Sequence, residues 1–417
     1  MDSTNSDPRR NCPTLLDVLG QYGIFDMLCR RLDTATLFSL RLVTKRLANH
    51  FAAHAKERWN FNRRLKHFVR NPQSLRTLMA RYNALISGSF VIQFFDDSFW
   101  KESDLDIYVE RESAAAFGTH LCQKEGYRFD RGSTEDDDYD FLGFVQVDTY
   151  LRGDKLRSNE TKIQVISTGA VPVRSILGCF STTAAINFMS WNTAYSMFPA
   201  MTFLEPRSQC RVCWVPDNED RIQSLIEKYS KRGWKAEQMQ FAGFRRVGDS
   251  RSWKIVLDIA RVEPSSTPDY VLENCHFNVV PPIGFPIGPI GPIEDLRQAL
   301  SFEFTSDVLK YKYTGGEHST GDFWSEMFMK ATLHGLLLDE LRKLDHEAQP
   351  HFLARPTQWS DFDRRMYLSV HVFMRRSFVK PDSWRYYDDQ VPTWLKEWEE
   401  EKNMRELNDQ MATVAIT

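Results

Sequence analysis

Two short stretches of this chain carry residue types that could do chemistry together. Ser87-Gly88-Ser89 is a small-residue turn, and 14 residues after Ser89 comes Ser103-Asp104-Leu105-Asp106-Ile107-Tyr108-Val109. Side chains alternate faces along a strand, so Asp104 and Asp106 point one way while Leu105 and Ile107 point into a core. Two carboxylates forced onto one face repel each other unless a divalent cation sits between them. Ala84-Leu85-Ile86 reads as a short buried strand leading into the turn. A glycine at the turn lets backbone amides approach a phosphate closely, and a helix starting after it aims its N-terminus at the same anion. The chemistry such a layout supports is metal-assisted handling of a phosphate. The plain alternative is a core strand carrying two solvated acids.

This order of residues resembles the nucleotidyltransferase superfamily of the polymerase-beta type. The matching residues are Ile86 (displaced by Ser87), Gly88, Ser89, Asp104, Leu105, Asp106 and Ile107. The resemblance implies that Gly88 and Ser89 hold the phosphates of a nucleoside triphosphate (NTP). It also implies that Asp104 and Asp106 ligate Mg²⁺ for in-line attack on the α-phosphate. The spacer is slightly longer than the family usually shows, which implies a one- or two-residue insertion before the second strand.

The family needs a third carboxylate on a neighbouring strand. Phe144-Val145-Gln146-Val147-Asp148-Thr149-Tyr150-Leu151 and Thr161-Lys162-Ile163-Gln164-Val165-Ile166 read as strands joined by a polar loop, hence a hairpin. The apolar-acid-apolar pattern fits Ile163-Gln164-Val165 best, and there the residue is Gln164. An amide can offer one carbonyl oxygen to a cation but adds no negative charge and cannot act as a base. Asp148 supplies the missing charge only if its side chain faces the same surface. The expected site is therefore Asp104, Asp106 and Asp148, with Gly88, Ser89 and Gln164 on the nucleotide.

Ahead of this motif, Leu15-Leu16-Asp17-Val18-Leu19, Ile24-Phe25-Asp26-Met27-Leu28 and residues 32–47 form an apolar, helix-periodic series. Asp33 before Thr34 is a helix start, and Leu37, Leu40 and Val43 mark one face. The series resembles an F-box, a three-helix module that docks a substrate receptor onto the adaptor of a cullin-type ubiquitin ligase. The resemblance implies that Leu15, Ile24, Phe25, Leu28 and Leu37 supply partner contacts or internal packing, and the sequence does not divide them between the two. Pro13-Thr14-Leu15 stands where the usual Leu-Pro opening would be. An ordinary helical subdomain is the equal alternative. Over roughly residues 13–205 the combination is similar to a group of proteins expanded in mushroom-forming fungi, whose chemistry is not established.

The elements that must position these residues give an α/β (α+β) fold. A tail over 1–11 is expected to be disordered, followed by an F-box-like helical module over 12–60. A nucleotidyltransferase-like mixed sheet with helices is expected over 66–240, and an accessory, mainly helical region over 241–417. In the last two parts, Asp217-Asn218-Glu219-Asp220 starts a helix through Ile222, Leu225, Ile226 and Tyr229 that Gly233 stops. Residues 253–259 read as a strand, 323–344 as a long helix carrying a core or rim His334, and Trp394 and Trp398 mark a terminal amphipathic helix.

Composition bounds the function. At 417 residues, with 42% apolar and 13% aromatic residues, the chain has ample material for two or three packed domains. A net charge of −3 gives no global basic field, so duplex nucleic acid is not a favoured partner. Arg63, Arg64, Lys66 and His67, with Arg70 and Arg76, form a local basic patch that could touch phosphate and reads better as a solvated helix face. There is no run of 18 apolar residues to cross a membrane. Seven scattered cysteines fit a reducing compartment, cytoplasmic or nuclear. Cys210 and Cys213 make one Cys-x-x-Cys pair without a second pair to complete a zinc site. Residues 134–138 read as a solvated acidic loop, and the Pro/Gly-rich stretch 281–293 as an extended connector.

Overall fold

The computed structural model describes residues 14–133, 144–153, 160–179, 182–204, 207–210, 219–238, 243–279, 299–316, 324–344, 379–397 and 400. The expected disordered tail, the acidic loop 134–138 and the Pro/Gly stretch 281–293 lie outside them.

The N-terminal helices are written in their caps. Thr14 and Asp17 form a reciprocal capping box at the start of α1 (Leu15–Leu19), with the Asp17 amide 3.3 Å from Thr14 Oγ1 and the Thr14 amide 3.0 Å from Asp17 Oδ2. After α2 (Tyr22–Cys29), Asp33 caps α3 (Thr34–Arg41) by accepting from the Thr36 amide, and Thr44 caps α4 (Lys45–Arg58). Asn60 and Asn71 do the same for α5 (Phe61–Leu65) and α6 (Pro72–Tyr82), where Pro72 takes the first helical position. Cross-links then fix the helices on one another. Arg46 Nη2 and His50 Nε2 both reach the Gly20 carbonyl, and His54 Nδ1 lies 2.8 Å from Asp26 Oδ1.

The chain next enters β1 (Leu85–Ser87), α7 (Ser89–Asp96), β2 (Leu105–Glu110), α8 (Ala114–His120), β3 (Arg128–Gly132), β4 (Phe144–Arg152), β5 (Thr161–Thr168) and α9 (Pro172–Cys179). Two short strands, β6 (Asn187–Met189) and β7 (Thr193–Ser196), follow, and then β8 (Arg207–Cys210), α10 (Glu219–Ser230), β9 (Lys235–Gln238), β10 (Gly243–Arg246) and β11 (Trp253–Val256). The remainder comprises α11 (Asp269–Glu273), β12 (His276–Val279), β13 (Ala299–Phe304), β14 (Tyr313–Gly316) and α12 (Trp324–Leu341).

The main sheet has the order β11-β7-β6-β1-β2-β5-β4-β3. Its pairs are antiparallel except β2 with β5, so the fold is a mixed sheet with helices, α+β. The expected hairpin is present as β4 against β5. A four-stranded sheet, β10-β12-β13-β14, carries the C-terminal part, and β8 pairs with β9.

Alternation along the strands divides the core. Leu105, Ile107, Val109, Ile163 and Val165 pack with α7 and with Phe25, Leu37, Phe51 and Trp59 of the N-terminal helices in one continuous cluster. Tyr108, Ile166, Val173, Ile176 and Phe277 fill the opposite face. The N-terminal helices therefore do not stand apart from the sheet. Phe38 and Trp59 meet Trp253 of β11 edge-on at 5.0 and 5.3 Å between ring centroids, and Trp59 Nε1 donates to the Phe95 carbonyl at 3.3 Å. Residues 253–256, placed with the accessory region by the sequence, are in fact the edge strand of the main sheet. The boundary expected at residue 240 is crossed by strand pairing.

Candidate functional site

Gly88 makes the turn between β1 and α7 with φ +74° and ψ −151°, a conformation that glycine alone adopts without strain. The same residue is also needed for space. A Cβ built on it would lie 2.5 Å from Asp106 Oδ2. The room opened by the turn is thus filled by the chain's own carboxylate. The hydroxyls of Ser89 and Ser103 are hydrogen-bonded to each other at 2.5 Å, and Gln93 Nε2 reaches Ser103 Oγ at 2.8 Å. Gln93 Oε1 in turn accepts from the Trp100 amide at 2.5 Å, which pins the loop between α7 and β2.

Register decides which sequence-predicted residues meet. Ser87 pairs with Asp106 across β1 and β2, and Asp106 with Gln164 across β2 and β5, so these three share a face. With its amide turned to donate, Gln164 Nε2 lies 3.1 Å from both Asp104 Oδ2 and Asp106 Oδ1. That orientation is the electrostatically sensible one, since the carbonyl oxygen would otherwise face two carboxylates. Asp104, Asp106, Gly88, Ser89 and Gln164 are therefore gathered in one place. Asp148 is not. It stands opposite Val165, and Thr149 takes the position opposite Gln164. Asp148 faces the other side of the sheet and accepts from Gln146 Nε2 at 2.6 Å.

Lys162, which sequence reasoning passed over, completes the cluster: its Nζ is 2.5 Å from Asp104 Oδ2. It stands two residues before Gln164 on the same strand, so the period-2 alternation already placed it on the acidic face. From after α10, Arg232 lies over the Trp100 ring at 3.9 Å from the centroid, and its charge acts on Asp104. Tyr229 is buried beside the two acids, and burial, with Asp106 and Asp104 adding, holds its hydroxyl well above the ordinary range. Asp106 itself is driven upward, to about 7, by burial first and by the charge of Asp104 second.

The donor set does not suit a catalytic magnesium centre. Among the described residues no group of three or more His, Cys, Asp or Glu side chains could hold a metal ion. Asp104 and Asp106 are joined instead by the cationic and amide N–H donors of Lys162 and Gln164, and hard divalent cations want oxygen ligands.

The other motifs resolve differently. Cys210 ends β8, and Cys213 lies outside the described residues. His334 sits half-buried on α12, as a rim histidine whose basicity is lowered by burial. The basic patch is not one solvated face. Arg76 is buried, donates to the Trp191 carbonyl and to Asn62 Oδ1, both at 2.8 Å, and is pushed down to about 10 by desolvation. Arg64 is anchored to Asp97 and to the Ser98 carbonyl.

Comparison with known proteins adds no family. No family model, curated protein or solved structure matches this chain. No described helix is long and apolar enough to cross a membrane.

In the F-box-like stretch the five named residues divide. Phe25 and Leu37 are fully buried, Ile24 and Leu28 are half-buried, and Leu15 is 73% exposed. Leu16, Met27, Leu42 and Val43 are also left at the surface, Leu42 at 77%.

Proposed function

We propose that this chain is an F-box-like adaptor protein with a degenerate nucleotidyltransferase-like core that recognises a nucleotide or protein partner without turning it over. The observation that carries the reading is the closure of the acid pair by Lys162 and Gln164. An ammonium pairs with Asp104 and an amide N–H bridges both carboxylates from within, which offsets part of their repulsion without a metal ion. Exposed Leu15, Leu16, Met27, Leu42 and Val43 support the docking half of the reading, because these apolar side chains are left at the surface of a stretch that sends Phe25, Leu37 and Leu47 into the core.

The test is binding of the intact chain to the purified adaptor subunit of a cullin-type ubiquitin ligase, measured by calorimetry. Saturable binding lost in Leu42→Asp is the expected result, and absence of binding by the wild type overturns the docking half. The competing reading is an active Mg²⁺-dependent transfer of a nucleoside monophosphate from an NTP. It draws on the preserved Gly88-Ser89 turn and the Asp104–Asp106 pair. A thermal-shift titration with each NTP, with and without Mg²⁺, separates the two. A Mg²⁺-dependent rise abolished in Asp106→Ala would favour transfer.

A further inference from the structure

A cavity of about 370 Å³ opens between α5 and the loop that follows α7, lined among others by Arg63, Arg64, His67, Phe99, Trp100 and Ser103. Its walls have two characters. One is aromatic: Phe99 is 63% exposed, with the His67 ring edge-on to it at 5.4 Å, and Trp100 stands beside it in the chain. The other is cationic. Asp97 is the one acid in the lining, and Arg64 already takes it, with Arg58 Nε 3.7 Å away. Arg63, one residue before Arg64, is exposed and its guanidinium has no partner among the described residues. The Nε atom of Arg64 is buried without a hydrogen-bond partner there.

The walls are held in place before any ligand arrives. Gln93 holds the Trp100 amide, the Ser103 amide donates to the Trp100 carbonyl at 3.0 Å, and Arg232 braces the Trp100 ring. Arg64 is locked on the Ser98 carbonyl at 2.9 Å. An exposed aromatic wall and a guanidinium that no carboxylate takes, lining one cavity, are suited to an aromatic ring that carries a phosphate. The ring stacks or packs edge-on against the aromatic wall, and a planar guanidinium fork meets phosphate oxygens in pairs.

We infer that this cavity binds a small planar aromatic phosphomonoester, of which a nucleoside monophosphate is the size that fits. The volume lies at the lower end of the range for small-molecule sites. The cavity holds neither Asp104 nor Asp106, so the inference does not rest on the adaptor reading and survives or fails separately from it.

The experiment is isothermal titration of the full chain with AMP, phenyl phosphate, adenosine and inorganic phosphate, in buffer without divalent cations. Saturable binding of AMP is expected, with adenosine and inorganic phosphate each at least tenfold weaker. Phenyl phosphate distinguishes a general aryl phosphate site from one that reads the nucleoside. Binding equal to AMP supports the ring-plus-phosphate class, and weaker binding narrows it to nucleotides. Arg63→Glu and Phe99→Ser change exposed side chains, so both variants fold, and each is expected to weaken AMP at least tenfold. No saturable binding of either aromatic phosphate at millimolar concentration, or binding that both variants leave unchanged, overturns the inference.

Discussion

Lys162 Nζ lies 2.5 Å from Asp104 Oδ2, two residues along β5 from the Gln164 amide that reaches Asp104 and Asp106 together. One strand therefore presents both groups that compensate the acid pair. Both partners of the ion pair are partly exposed, so Lys162→Met should cost only about 0–1 kcal/mol. Its larger effect should be on metal response. The wild type is expected to show no thermal shift with Mg²⁺. The double variant Lys162→Met/Gln164→Asp, with three acids and no internal cation, should gain about 1–3 kcal/mol at saturating Mg²⁺. Differential scanning calorimetry at several Mg²⁺ concentrations reads both.

Asp106 should make stability fall as pH rises. Its folded-state pKa, pushed up to about 7, lies above that of an unfolded aspartate, so the folded chain binds the proton more tightly. The resulting penalty is fully present above pH 7, shrinks as pH falls through that value and vanishes below the unfolded carboxylate range. Asp106→Asn should therefore be more stable than the wild type at pH 8, by an amount on the order of a few kcal/mol. The two should converge near pH 4. Urea titrations at pH 8, 6 and 4 would show the pattern, and a constant difference across pH would contradict it.

Gly88 carries two independent demands, a positive φ and a vacant Cβ position against Asp106. Gly88→Ala should lower stability by about 2–3 kcal/mol. In an Asp106→Ala background the clash disappears while the backbone strain stays, so the cost of Gly88→Ala should shrink without vanishing. A double-mutant cycle on denaturation midpoints measures that difference.

The Phe38–Trp253 contact predicts joint unfolding. Trp253→Ala should cost about 2–3 kcal/mol, below the range for a fully buried tryptophan because the side chain is only half-buried. The N-terminal helices and the main sheet should melt in a single transition by helical circular dichroism and tryptophan fluorescence. Two separated transitions would show that the helices are autonomous.

How much of this was legible in the sequence depends on how local each signal is. Ser87-Gly88-Ser89 announced its turn, Asp33 its helix cap, and the 144–151 and 161–166 segments their hairpin, because each rests on a few neighbouring residues; the cap at Thr44, inside a series that reads as one helical run, was not announced. The side on which Asp148 emerges depends on the register of β4 against β5, one residue's slip of which turns it to the other face, and nothing short of that register could fix it. Lys162 was readable from parity with Gln164 and was overlooked because lysines usually face solvent. The pairing of β11 with β7 joins segments more than fifty residues apart, and local pattern carries no record of it. The Leu15 to Leu37 series mixes buried and exposed apolar residues, since helical periodicity marks a face without saying what covers it.

The aromatic joint also sets a timetable for biosynthesis. Phe38 leaves the ribosome 215 residues before Trp253, which at ordinary elongation rates is roughly 10 to 40 s. Throughout that interval the newborn N-terminal helices lack the aromatic partner that seats them on the sheet. They reach their final setting only after the last strand of the main sheet has been made, so a chain cut short before residue 253 would leave Phe38 and Trp59 without the Trp253 ring.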